Sequence, residues 1–435
     1  MTGISAKFAL HPVSFPEKLR WIVAQEGSRQ TYGIPLAFHR LGVLRVMYAD
    51  IWCRFGRKWL RRGTAGTRAL STRYHPEIPG NLAVSFSPEA ILSKTWQHLR
   101  RSRSGSGELS RAYCRFGEWY ALKIRRHLER VEMDPRRDCF FGFNTNCLEL
   151  MEILRKRQVF TVIDQVDPGR IEEDMILEEI ERWPGWASAP ERMTGEYWQR
   201  IEAEWKAADA VLVNSEWSWQ ALVRQGVRPE KIMVVPLAID VAADHVLAPV
   251  NPEGPLKVLW LGSIILRKGI SYLVEAARQL PNVEFLLAGP LGISRQAVQS
   301  FPGNVKLLGR VTRDQLGAYY RQAQVFVLPT ISDGFAVTQL EAMAHGLPVI
   351  ATPNCGNVVT DGVDGLIVPI RDSEALADAI ARLDADRSLL RNMSANTLET
   401  VQKYDLPSNA RLIQGFVSQR KAVLERQTAT VTTCR

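Results

Sequence analysis

The strongest constraint on the fold is the regular alternation that fills the second half of the chain. From residue 257 onward, short apolar runs read as strands at 257–261, 283–288, 305–308, 325–328, 348–352 and 366–368. Amphipathic stretches at 271–279, 313–323 and 336–344 read as helices between them. Strands apolar on both faces and separated by helices predict a parallel sheet covered on both sides. The expected class is therefore α/β and doubly wound.

The first half repeats this pattern less regularly. Strands are expected at 19–24, 43–48, 140–143, 159–163, 210–214 and 231–236, with helices after Pro35, at 148–157 and at 217–225. Between the halves, 241–255 reads VAADHVLAPVNPEGP, with Pro249, Pro252, Gly254 and Pro255 inside seven residues, and marks a boundary. The expectation is two Rossmann-like domains facing a cleft, at 1–245 and 246–405. Helical spacing at 412–424 makes 406–435 a final helix expected to pack back on the first domain. Residues 100–107, RRSRSGSG, read as a low-complexity surface loop.

A length of 435 residues suits two or three domains, and 46% hydrophobic residues suffice for their cores. No apolar run reaches the ~18 residues of a membrane span; the best, 258–266, is broken by Gly262 and Ser263. Lys7 precedes a stretch interrupted by His11, Pro12 and Pro16, so no signal-peptide core is expected. Six cysteines, at 53, 114, 139, 147, 355 and 434, form no Cys-x-x-Cys pair and read as reduced thiols of a cytoplasmic protein.

The net charge of +9 is unevenly spread. Residues 1–137 hold 25 Lys+Arg against 10 Asp+Glu, a net +15, which leaves −6 for the remainder. Such a segment favours a polyanionic partner, either phospholipid or nucleic acid. No nucleic-acid module is recognisable, so nucleic acid is the weaker expectation. In IWCRFGRKWLRR, 51–62, helical spacing would place Trp52, Phe55 and Trp59 on one face and Arg54, Lys58, Arg61 and Arg62 towards another. A helix of that kind can lie on an anionic bilayer, here the inner face of the membrane. The alternative is that the aromatic residues pack inward and the arginines are merely solvated.

Two segments carry chemistry. In KVLWLGSIILRKG a strand delivers Arg267, Lys268 and Gly269 to a helix start, where unpaired N–H groups and the helix dipole favour a phosphate or diphosphate. The alternative is a solvated turn with Gly269 packing. In VFVLPTISDGFAVTQLEAMAHGLPVIAT, Asp333 precedes Gly334, whose lack of a side chain lets a ligand approach the backbone. Glu341 follows in an Ala-rich helix, where a half-buried carboxylate needs a partner; a ribose diol or a structural ion pair would serve. His345 reads as packing. No histidine stands in a His-Glu-x-x-His or triad context, and Gly105 and Gly107 are not a dinucleotide fingerprint.

Taken together, the strand ending in Gly262, the Lys268-Gly269 pair, the Asp333-Gly334-Phe335 loop and Glu341 resemble glycosyltransferase family 4 of the GT-B fold. The resemblance covers 257–383, including DGVDGLIVPIRDSEALADAI; 208–240 is similar to the family's last N-domain strand and helix, and 1–140 matches loosely. Three departures stand out. Asp333 replaces the first Glu of the family's paired acids; Ser263 stands where an Arg is common, so Lys268 would act with Arg267. Ile163 replaces a His, leaving Asp164, with Asp167 beyond it, as the acceptor-side acid or else a turn residue before Pro168.

The resemblance implies retaining transfer of a sugar from a nucleotide-diphosphate sugar to an acceptor hydroxyl, in bacterial polysaccharide or glycolipid synthesis. Gly262, Ser263, Arg267 and Lys268 would receive the diphosphate and Glu341 the ribose. Asp333 and the backbone of Gly334, Phe335 and Ala336 would orient the sugar, and the leaving phosphate would accept the acceptor's proton. No metal or other cofactor is implied. The alternatives are a GT-B epimerase or phosphorylase, and a non-catalytic sugar-nucleotide-binding protein.

Overall fold

Thirteen short strands form two sheets in a computed structural model that describes residues 19–92, 107–240 and 255–433. The Pro-rich segment 241–254, residues 100–106, the stretch ahead of residue 19 and Cys434 lie outside the described residues. The first sheet holds β1 (Arg20–Gln25), β2 (Leu44–Ala49), β3 (Ala83–Ser85), β4 (Asp138–Phe143), β5 (Phe160–Asp164), β6 (Ala210–Val213) and β7 (Ile232–Val234), in the order β3-β2-β1-β4-β5-β6-β7. The second holds β8 (Lys257–Leu261), β9 (Glu284–Ala288), β10 (Val305–Gly309), β11 (Val325–Leu328), β12 (Val349–Ala351) and β13 (Gly365–Ile367), in the order β10-β9-β8-β11-β12-β13. Both are parallel sheets of the doubly wound kind, as the sequence alternation requires.

Side-chain alternation explains why the second sheet is apolar throughout. Val258 and Trp260 of β8, with Val325 and Val327 of β11, enter one buried cluster with Ile270, Leu273 and Ile380 from the helices on that face. Leu259 and Leu261, with Phe326 and Leu328, enter the opposite cluster with Leu340 and Met343. Each strand thus buries both of its faces. In the first sheet, every residue of β4 is buried, and Trp21 of β1 stacks on Phe38 at 4.6 Å.

The chain divides into two units: Met1–Asp164, Thr194–Val211 and Leu406–Arg435 in one, Gln165–Met193 and Leu212–Asp405 in the other. These bounds differ from a division at 245, because 165–193 and 212–240 group with the second unit. The reason for the first of these is electrostatic and aromatic. In the helix Arg170–Arg182, Glu172 faces Arg267, Glu178 and Glu179 face Arg371, and Glu179 also accepts from the Tyr272 hydroxyl. Just beyond it, Trp183 packs edge-on to Tyr272 at 5.4 Å, and Trp186 packs on Phe301.

The last helix, Leu406–Thr433, runs well beyond the 412–424 stretch whose spacing indicated it. Within the first unit it contacts the helix Gly33–Arg40, and Lys421 donates to the carbonyls of Pro135 and Arg136. A cavity of about 550 Å³ lies beside it, lined by Arg136, Arg155, Phe160, Thr161, Lys421 and Leu424, at the N-terminal ends of β4 and β5.

The segment 51–62 corrects the sequence expectation. Gly56 takes φ +75, and only Arg57–Arg61 is helical, so Trp52, Phe55 and Trp59 do not share one helical face. Trp52 packs on Tyr32 and Tyr74, whereas Phe55 and Trp59 are 79% and 81% exposed. No helix among the described residues is long and apolar enough to cross a membrane. Cys53, Cys114, Cys139, Cys147 and Cys355 are free thiols.

A buried carboxylate fixes the turn that follows β4. Glu204, in the helix Gly195–Ala207, accepts the backbone N–H groups of Thr145, Cys147 and Leu148 at 2.6, 2.9 and 3.1 Å. Thr145 stands there at φ +75, in the left-handed region that is costly for a β-branched residue. Replacing Glu204 with Ala leaves three N–H groups without their acceptor inside the protein. Glu204→Ala is expected to cost about 3 kcal/mol or more, read as a lower urea midpoint with an unchanged slope; a loss under about 0.5 kcal/mol would contradict this role.

Candidate functional site at the carboxyl ends of β8 and β11

In the second sheet, β9 and β10 extend to one side of β8 while β11 to β13 extend to the other, so strand order reverses between β8 and β11. The chain leaves these neighbouring strands in opposite directions and opens a crevice at their carboxyl ends, where ligands bind in such sheets. The loop after β8 carries Gly262, Ser263, Arg267 and Lys268; the loop after β11 carries Ser332, Asp333 and Gly334.

Backbone contacts lock the two loops together. Leu266–Lys268 forms a 3-10 turn, Gly269 closes it at φ +72, and the helix Ile270–Gln279 begins there. A β-carbon on Gly269 would lie 1.7 Å from the Pro329 carbonyl oxygen, so only glycine permits this approach. The Ile331 N–H donates to the Arg267 carbonyl at 2.9 Å, and the Asp333 N–H to the Asn354 carbonyl at 2.9 Å. Gly334 passes so near Val166 that a β-carbon would stand 2.0 Å from its carbonyl oxygen.

This locking brings Arg267, Lys268 and Asp333 into one charged cluster, joined by a residue that the sequence reading missed. Lys268 is ion-paired with Asp333. Arg267 Nη1 donates to the Ser332 carbonyl at 2.8 Å and faces Asp333 Oδ1 at 3.4 Å and Glu172 Oε2 at 3.3 Å. Ser332 Oγ donates to Glu172 at 2.9 Å and accepts from Trp217 Nε1 at 3.0 Å. Burial works against the charge of Asp333, but Lys268 and Arg267 outweigh it and hold this carboxyl below its ordinary range. Burial pushes Glu172 up to about 7 despite Arg267, with Asp167 and Asp333 adding to the rise. Local sequence offered no signal for Glu172, which stands in an acidic helix 95 positions from Arg267 and reads there as one more solvated charge.

The other expected residues fall as follows. Gly262 takes φ +155, and its carbonyl lies where a β-carbon on Gly289 would collide. Ser263 is exposed. Phe335 and Ala336 are buried in the core, and the Ala336 N–H is already donated to the Cys355 carbonyl at 2.8 Å. That N–H therefore already has an acceptor within the second unit. Glu341 sits in the helix Thr338–Ala344 and accepts from the Tyr320 hydroxyl at 3.1 Å; the Tyr320 ring stacks on His345 at 4.5 Å. The partner demanded by a half-buried carboxylate is thus present, and His345 packs. Asp164 is buried at the end of β5, in the first unit, where its carbonyl accepts the Asn144 N–H. Among the described residues, no cluster of three or more His, Cys, Asp or Glu could hold a metal.

Comparison with known proteins places this geometry in context. Residues 255–386 match the family described as glycosyl transferases group 1. Over 246 residues the chain is 28% identical to the D-inositol 3-phosphate glycosyltransferase of Kribbella flavida, covering 49% of this chain and 56% of that protein. The chain spans about half or less of the length of the curated relatives it matches. Among solved structures, the fold is similar to a sucrose-phosphate synthase from Thermosynechococcus elongatus, with a TM-score of 0.61 at 20% identity over 93% of this chain and 100% of that one. It is also similar to Anabaena HepE, solved in complex with UDP, with a TM-score of 0.57 at 16% identity over 92% of this chain and 100% of that one.

The close approach at Gly269 is testable against a glycine of the same backbone conformation. Gly362 takes φ +74 with nothing within 4 Å of its would-be β-carbon. Gly362→Ala should cost about 1 kcal/mol for the left-handed conformation alone. Gly269→Ala should cost about 3 kcal/mol or more, because the collision with Pro329 adds to that penalty. Equal urea midpoints for the two variants would show that the loops can part without cost.

Proposed function

We propose that this protein is a retaining glycosyltransferase of family 4, moving a sugar from a nucleotide-diphosphate donor to an acceptor hydroxyl in bacterial polysaccharide or glycolipid synthesis. The observation that carries this reading is the pair Arg267 and Lys268 at the carboxyl end of β8, beside the point where strand order reverses, in a segment matching the glycosyl transferases group 1 family. Anabaena HepE, whose fold is similar, was solved with UDP, which supports a nucleoside diphosphate as ligand.

In this reading Arg267 and Lys268 exchange carboxylate partners for diphosphate oxygens and stabilise the charge that grows on the leaving group. Such stabilisation accelerates transfer because it is strongest in the transition state. Asp333, released by Lys268, faces the sugar, and Glu341 takes the ribose hydroxyls in exchange for, or in addition to, Tyr320. Gly262 and Ser263 line the approach to the diphosphate, with the backbone of Gly334, Phe335 and Ala336 beside the sugar. Asp164 serves the acceptor side. No metal is required, since the two cations supply the positive charge.

Lys268→Ala is expected to weaken UDP or GDP binding at least tenfold with unchanged circular dichroism. Glu341→Gln should weaken the nucleoside diphosphate and the intact donor alike, because one carboxylate acceptor becomes a donor. Asp333→Asn should leave diphosphate affinity equal or somewhat higher, since it removes a competing anion from both cations, while turnover falls. Calorimetry with the diphosphate, run beside turnover of the matching donor, separates these cases. Loss of diphosphate affinity in Asp333→Asn as severe as in Glu341→Gln would refute the assigned roles.

A cytoplasmic protein held on the inner face of the membrane completes the reading. Phe55 and Trp59 stand exposed beside Arg54, Lys58 and Arg62, which suits an anionic bilayer better than water. Binding to vesicles containing phosphatidylglycerol should fall with salt, and Phe55→Ser with Trp59→Ser should weaken it severalfold further. Indifference to such vesicles at low salt would exclude this role.

A further inference from the structure

The cluster around Arg267 holds as many carboxylates as cations. Arg267 and Lys268 face Glu172 and Asp333, and all four side chains are largely buried. An incoming diphosphate adds at least two negative charges to this balanced set, and in a partly buried site that excess is costly. Either an acid leaves or an acid is neutralised. Asp333 resists protonation, because two cations hold its carboxyl below the ordinary range. Glu172 is differently placed: its Oε2 meets one guanidinium nitrogen and one hydroxyl, and burial already brings it to about 7.

The hydrogen-bond chain beneath Glu172 can accommodate both protonation states. As a carboxylate, Glu172 accepts from Ser332 Oγ, which in turn accepts from Trp217 Nε1. As a carboxylic acid, Glu172 can donate to Ser332 Oγ, whose two lone pairs then take the Trp217 N–H and the Glu172 O–H. The charged groups around Glu172 are Arg267 on the 3-10 turn, Asp333 with its partner Lys268 across the loop after β11, and Asp167 ahead of its own helix. Next to it, Glu173 accepts the Met193 N–H at 2.6 Å.

We propose that Glu172 is a positioning residue, the counter-ion that holds Arg267 and surrenders it to an incoming diphosphate by taking up one proton from solvent. The inference rests on the reading that Arg267 and Lys268 bind a nucleoside diphosphate. It gives binding a direction with pH: a proton taken up on binding makes affinity fall as pH rises above the range in which Glu172 ionises. The same residue links stability to pH. Its folded pKa is raised, so the stability it contributes is present below the ordinary carboxyl range and lost as pH rises through about 7.

The test is calorimetry of UDP and GDP with the full chain, in buffers of different ionisation heat at pH 6 and pH 8, which counts the protons exchanged. The ligand's own titration is common to wild type and variant and cancels in their difference. At pH 8, wild type should take up close to one proton more per nucleotide than Glu172→Gln, and the difference should shrink towards zero at pH 6. Glu172→Asp should restore uptake at reduced affinity, which a purely structural role would not do. Equal proton counts at pH 8, with UDP bound by both proteins, would overturn the inference alone. If Glu172→Gln does not fold, wild type decides: affinity falling roughly tenfold per pH unit above 7 supports the linkage, and a flat profile overturns it. Binding equally tight in Lys268→Ala, or none to either nucleotide, overturns the diphosphate reading and this inference together.

Discussion

Everything at the candidate site depends on the inability of a parallel strand to fold straight back on its neighbour. Each strand must be followed by a crossover that returns the chain to the same end of the sheet, and the crossovers cover both faces. In the second sheet the chain winds outward through β9 and β10, then returns to start again beside β8 with β11. The two loops that leave β8 and β11 therefore meet with no strand between them. Gly269, lying against the Pro329 carbonyl, closes that meeting to backbone contact.

The consequence is a high density of opposed charge. Arg267 and Lys268 arrive from one loop, Asp333 from the other, and Glu172 from the helix Arg170–Arg182 of the same unit. Such groups are held out of water, so each must be paired or neutralised. An anion entering a site built in this way would have to displace or neutralise one of these partners. Under the proposed reading, affinity, protonation and the orientation of Arg267 are then one problem and not three.

The acidic helix Arg170–Arg182 joins the site to the rest of the second unit. Glu172 serves Arg267, while Glu178 and Glu179 serve Arg371, on the loop before the helix Ser373–Ala385. Trp183 and Trp186 then seat the end of the segment against Tyr272 and Phe301. These contacts group 165–193 with the second unit.

The sequence by itself determined the class of fold and most of its strands, because apolar alternation and helix starts are written within windows of about ten residues. It also singled out Arg267, Lys268, Asp333 and Glu341, each beside a glycine or on a helix whose local chemistry is distinctive. Tertiary structure alone decided the rest. With Gly56 at φ +75 the helix starts only at Arg57; Phe55 and Trp59 stand exposed, while Trp52 packs on Tyr32 and Tyr74. The partner of Glu341 proved to be Tyr320, and the partner of Arg267 proved to be Glu172, 95 positions away. No local pattern specifies such pairs, because the distance between two side chains remote in sequence is set by strand order and crossover length, and only the folded sheet fixes those.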